Sequence, residues 1–256
     1  MKWIVYTPEY RGNSAGVRVM HRLTYLLNQC GEEAYGITDI LSAEYPFPMA
    51  VQASPATDIA IYPEVVNGNP FLMKNICRYI LNVPGLMEGP KNYPGNELLI
   101  YHSDILKEPT QAATPQIITD KNRIEINVID PASFYPENEP RLYDCVYFGK
   151  WQSKNHSHPF PPIDNAIQIT GSWPENRAET AKLLRGCRQF YCYDNLTAMY
   201  TEAAMCGAEV FILNGVEWVP FQVNFEECAE NYNSKSLLEV RKLIKLGKDF
   251  FKGEVK

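Results

Sequence analysis

The sequence has little to grip nucleic acid by charge, nothing long and apolar enough to span a membrane, and no cysteine pair of the kind that holds a metal. Its 24 Lys and Arg face 30 Asp and Glu, a formal net charge of −6 at pH 7. A broad hold on phosphate backbones needs an excess of cations, so nucleic acid is not an expected partner. No apolar run approaches the ~18 residues of a membrane span. The opening MKWIVYTPEY turns polar after Tyr6, too early for the apolar core of a signal peptide. The seven cysteines (Cys30, Cys77, Cys145, Cys187, Cys192, Cys206, Cys228) include no CxxC spacing and are odd in number, which argues against a disulfide framework or a zinc site. Several fall in apolar periodic runs, where a free thiol packs as a small hydrophobe. A reduced, cytoplasmic protein is the expectation. There is no GxGxxG fingerprint: Gly12, Ser14 and Gly16 do not satisfy it. The HSH at 156–158 finds no further ligand nearby, so no metal is expected. No repeat appears at solenoid periods.

What remains is an ordinary globular chain. Its 256 residues are 45% apolar, enough for folding to bury roughly 70–75% of the unfolded surface without staples. That length suits one large domain or two of about 110–130 residues. Residues 3–7 read as a buried strand. Val19, Met20, Leu23, Leu26, Leu27 and Cys30 then recur at three- and four-residue steps, one face of a helix, with Ser14 as its cap and Gly31 as its left-handed stop. "EEAYGIT" completes a βαβ start, which implies a parallel sheet. Further strands are expected at 57–63, 78–85 and 97–103, each running into Pro, Gly or Ser. The stretch 123–140 predicts an alternating strand followed by three prolines, a crossing between domains.

The same alternation resumes beyond it. Strands are expected at 142–151, 165–173, 188–193 and 209–213, with helices at 174–187 and 197–206. The C-terminal SKSLLEVRKLIKLGKDFFK places Leu237, Leu238, Val240, Leu243, Ile244 and Phe250 at helical spacing. It is basic and amphipathic, so it can touch an anionic membrane surface, although docking on its own lobes is the plainer expectation. The reading is an α/β protein of two Rossmann-like lobes, with parallel sheets facing a central cleft. Residues 1–135 are expected to form an N-terminal Rossmann-like lobe, 136–235 a C-terminal one, and 236–256 a helix packing back on them. Ligands in such folds sit outside the carboxyl ends of strands.

The segment YDNLTAMYTEAAMCGAEVFIL (193–213) carries the site hypothesis. Asp194 follows a strand, Thr197 is the expected N-cap of a helix ending at Gly207, and Glu202 lies inside it. A phosphorylated ligand at that helix start gains from the dipole, and a carboxylate at Glu202 can accept from both ribose hydroxyls. The bland alternative is an acid that merely favours a helix dipole, or a solvated glutamate. Against it, Glu202 stands among Ala203, Ala204, Met205, Cys206 and Gly207. An acid in such apolar company destabilises unless something pairs with it.

This segment resembles the Glu-x7-Glu signature of GT-B glycosyltransferases, particularly the large retaining family that includes glycogen and sucrose-type synthases. Asp194 stands in the place of the first Glu, Glu202 in that of the second, and Gly207 in that of the glycine before the next strand. "INVIDPASFYP" resembles the family's linker, and "VYFGKWQSK" its phosphate grip, with Lys150 in the Arg place and Lys154 in the Lys place. "RGNSAGVR" resembles the first N-terminal loop, whose Gly12 and Gly16 would approach the donor phosphates. The chain departs from the family at Asp194, one methylene shorter, and at Lys150, which lacks the guanidinium fork. Where a His follows an N-terminal strand in that family, Pro84 and Gly85 stand here; His102, one strand later, is the substitute, unless it merely caps or packs.

The resemblance implies a metal-independent retaining transferase with a nucleoside-diphosphate sugar as donor, an unidentified acceptor and no cofactor. Lys150 and Lys154 would hold the diphosphate, Asp194 would orient the sugar, and Glu202 would fix the ribose. Two alternatives are a non-catalytic protein of the same fold that binds a nucleotide sugar or glycan, and a transferase acting on DNA bases, which the acidic balance disfavours.

Overall fold

The computed structural model describes residues 1–252 except 39, 50–51, 151–162 and 164. The chain divides into two compact units. The first comprises Met1–Arg11, Gly16–Val128 and Asn233–Lys256, the second Gly12–Ala15 and Ile129–Tyr232.

The first unit is built on five parallel strands, β1 (Trp3–Val5), β2 (Ala34–Gly36), β3 (Ile59–Pro63), β4 (Asn75–Ile80) and β5 (Leu98–Tyr101), in the order β2-β1-β3-β4-β5. Helix α1 (Ala15–Gln29) follows directly on Ser14, and Gly31 at φ +83° closes it. There Gly31 N–H donates to the carbonyl of Asn28 and Glu32 N–H to that of Leu27, the paired bonds of a Schellman stop. The apolar face of α1 meets Trp3, Val5, Ile59 and Ile61 in one core.

The alternating stretch after 123 forms no strand, contrary to the sequence pattern. It makes one parallel bridge, Arg123 with Tyr101, and then leaves the sheet. Ile124, Ile126 and Val128 are buried as alternation requires, but their backbone is met by side chains. The Arg123 carbonyl accepts from Lys242 Nζ (2.6 Å), that of Ile124 from Tyr79 Oη (2.5 Å), that of Asn127 from Arg22, and that of Val128 from Arg18 Nη1 (2.7 Å). Buried carbonyls must find donors. Arg18 and Arg22, buried on α1, supply them where a sixth strand would have.

A short helix that the sequence reading did not anticipate, α2 (Lys107–Ala112), follows β5. The last helix of the chain, 225–252, also starts before the expected 236. Asn224 Oδ1 accepts from Glu227 N–H (3.1 Å), a side-chain cap that lies upstream of any apolar periodicity. From Asn233 onward this helix belongs to the first unit, where Val240 and Leu243 join the core and Gly247 lies against the Trp3 ring.

The second unit repeats the topology. β6 (Tyr143–Tyr147), β7 (Ile167–Ile169), β8 (Cys187–Cys192) and β9 (Glu209–Asn214) are parallel, and β10 (Glu217–Phe221) turns back antiparallel, giving β7-β6-β8-β9-β10. The β9–β10 hairpin was unexpected, although its two-residue loop, Gly215-Val216, opens on a glycine at φ +65°, the residue a tight hairpin turn favours there. Helix α3 (Arg177–Arg185) is capped by Asn176, whose Oδ1 accepts from Glu179 N–H (3.0 Å). Pro174, where the sequence reading starts this helix, therefore lies before the cap. Helix α4 (Met199–Met205) and the long α5 (Phe225–Lys252) complete the chain. Residues of β6–β9, with α3 and α4, close a second core around Phe190, Leu184 and Met205. The architecture is thus α/β with two mostly parallel sheets. Among the described residues no helix is long and apolar enough to cross a membrane, and all seven cysteines are free.

Candidate functional site

In the second unit the strand order reverses between β6 and β8, since β7 lies on one side of β6 and β8 on the other. Crevices at such switch points, outside the carboxyl ends, are where open α/β sheets place ligands. The loops leaving these two strands hold Gly149 and Lys150 on one side and Asp194 on the other.

Asp194 is buried and fastens the loops together. Its Oδ2 accepts from Lys150 N–H (3.0 Å) and pairs with Lys150 Nζ (3.2 Å), while Oδ1 accepts from Leu196 N–H (2.9 Å). Lys150 Nζ also donates to the Leu196 carbonyl (2.6 Å). Gly149 makes this possible: it stands at φ +52°, and a Cβ there would fall 2.5 Å from Asp194 Oδ2. The carboxylate expected to orient a sugar is therefore occupied in positioning Lys150 and the backbone around it.

Thr197 is not the N-cap. Ala198 holds that position, with no side-chain cap, and Thr197 Oγ1 accepts from Met199 N–H at 3.3 Å. The helix is seven residues long, so the sequence reading overstated its dipole: the end charge comes from aligned peptide units, and two turns align few. Its exit is as expected. Gly207 takes φ +83°, and Gly207 and Ala208 N–H donate to the carbonyls of Ala204 and Ala203. Arg141 caps two helix ends, donating to the Arg185 carbonyl (3.1 Å) and to that of Cys206 (2.8 Å).

Glu202 is 1% exposed, and its partner is one that the sequence reading missed. Arg177, the first residue of α3, donates from Nη1 to Glu202 Oε2 at 2.7 Å. The guanidinium lies over the Phe134 ring, 4.1 Å from its centroid. Gly12 packs on the stem, for a Cβ there would come within 3.0 Å of Arg177 Cγ. Asn13 Nδ2 donates to the Gly171 carbonyl, so this loop clusters with the second unit. The signal was available: an acid in apolar surroundings demands a cation, and RAET opens the neighbouring helix.

Tyr147, at the end of β6, stands close to both acids. Burial first, and then the Asp194 charge, push its phenol up to about 12; Thr197 hydrogen bonds to it and the Glu202 charge also reaches it. The phenol is thus neutral at pH 7.

The remaining sequence candidates fare unevenly. Lys154, and the histidines at 156–158, lie outside the described residues. Gly16 is not in a loop but in the first turn of α1, where a Cβ would make only an ordinary contact with Leu81. His102 belongs to the first unit, at the carboxyl end of β5. Tyr79 Oη gives its proton to the Ile124 carbonyl, so the Tyr79 phenol oxygen accepts from His102 Nδ1 at 3.0 Å.

Burial holds His102 down at about 4 and lowers His21 as well. Between pH 6.5 and 4 the unfolded chain therefore binds more protons than the folded one, and stability falls as pH falls through that window. Urea unfolding across the range is expected to show this, and His102→Phe should flatten the slope. An unchanged slope in the variant would remove His102 as its source.

No protein-family model, curated protein or solved structure matches the chain.

Proposed function

We propose that the second unit binds a nucleoside-diphosphate sugar outside the carboxyl ends of β6 and β8, and that the chain is a retaining glycosyltransferase of the GT-B kind. The observation that supports this most is the Lys150–Asp194 pair, which sets an ammonium group at the switch point, braced from both loops. As the sugar's bond to the diphosphate breaks and its bond to an acceptor hydroxyl forms, negative charge gathers on the departing phosphate. A cation already oriented there stabilises that charge without reorganising. Asp194 acts as a positioning residue for Lys150. The sugar-nucleotide reading also draws on the resemblance of residues 188–213 to the Glu-x7-Glu signature.

One observation favours a second reading, binding without transfer: the Asp194 carboxylate already accepts from Lys150 and Leu196 N–H. Hydrolysis or transfer of the donor sugar, assayed with a pool of acceptors, separates the two.

A thermal-shift screen against nucleoside diphosphates and their sugars tests both. A ligand at 100 times its dissociation constant should add about 2.7 kcal/mol of stability, and Lys150→Ala should abolish most of that gain. The absence of any shift across the panel would end the proposal.

A further inference from the structure

The Arg177–Glu202 pair is more than the answer to a buried acid. Three features fix the guanidinium: Glu202 at 2.7 Å, the Phe134 ring beneath it, and Gly12 leaving room for its stem. Such preorganisation exceeds what neutralising Glu202 requires. A guanidinium carries five N–H donors in a rigid fork. Glu202 takes Nη1, and the side chain remains 20% exposed while Glu202 is only 1% exposed. An incoming ligand therefore meets the arginine before it can meet the acid.

We propose that Arg177 is the diphosphate contact of this site and that Glu202 serves as its positioning residue rather than as the ribose ligand the resemblance implies. This rests on the nucleotide-sugar reading above. Asp194 and Glu202 both act on the Tyr147 phenol, and only the loop 195–198 and the first turn of α4 separate the two acids along the chain. Planar forks suit phosphate oxygens bidentately, which a lysine cannot reproduce. Gly12 also acquires a purpose here: it admits the arginine stem instead of approaching the phosphates itself.

Calorimetric titration with inorganic pyrophosphate and with a nucleoside diphosphate tests the assignment, because pyrophosphate has no ribose. Arg177→Met/Glu202→Met removes both charges together and keeps the pair apolar, so the fold should survive; Arg177→Lys keeps the charge and loses the fork. Both variants are checked first for a wild-type-like unfolding transition. The double variant should lose about tenfold or more in affinity, by the same factor for both ligands, and Arg177→Lys should fall between. Pyrophosphate affinity within twofold of wild type in the double variant would overturn the assignment, and so would a loss confined to the nucleoside diphosphate, which would return Glu202 to the ribose. If wild-type protein binds neither ligand, the nucleotide-sugar reading itself fails, a result distinct from these.

Discussion

Arg177→Met alone should lower the free energy of unfolding by about 3–5 kcal/mol, because it strands a carboxylate in the core of the second unit. Glu202 is 1% exposed, and its described partner is the Arg177 guanidinium at 2.7 Å. Taking both charges out, in Arg177→Met/Glu202→Met, should restore most of the loss, since two thioether chains can pack where the ion pair stood. The measurement is a double-mutant cycle by urea denaturation, with the coupling read from the departure from additivity. Additive losses in the double variant would mean that the two side chains act independently, and the ion pair would lose its place in the structure.

Gly149→Ala comes next in expected size. Two effects add there. A left-handed residue other than glycine costs roughly 1–2 kcal/mol, and Gly149 stands at φ +52°. The new methyl would also fall 2.5 Å from Asp194 Oδ2 and 2.6 Å from Tyr147 Cε1, inside any allowed contact. Asp194 is itself fastened by Lys150 N–H and Leu196 N–H, so it yields only by giving up those bonds, each worth about 0.5–1.5 kcal/mol or more to a charged group. A total near 3 kcal/mol is expected, together with loss of any ligand held by Lys150. Gly215→Ala is the control, because it shares the positive φ (+65°) but nothing lies within 4 Å of its Cβ. It should show the backbone part alone. Equal losses at the two positions would remove the Asp194 contact from the account.

These expectations show where the sequence was legible. The strands other than β10 could be read because each is a short β-rich apolar run between turn residues, and α1 because its apolar face repeats every three to four residues over fifteen residues. The two glycine stops, Gly31 and Gly207, were readable for the same local reason. Elements fixed by polar side chains were not. The cap at Asn224 starts a helix ahead of its apolar stripe, and the carbonyls after Arg123 are met by arginines, a lysine and a tyrosine from elsewhere in the chain. Alternation announces burial, and it cannot say whether a strand or a side chain will satisfy the backbone.

The candidate site divides along the same line. Local order in the chain was enough to place Asp194 after a strand, Glu202 within apolar company and Lys150 in a glycine turn, since each follows from its near neighbours. What each carboxylate binds came from residues far along the chain: Lys150 is 44 positions from Asp194, and Arg177 is 25 from Glu202. Periodicity reaches across a few turns of chain, whereas an ion pair is chosen by which strands lie side by side. The reversal of strand order between β6 and β8 brings Lys150 to Asp194, and the packing of α3 beside α4 brings Arg177 to Glu202.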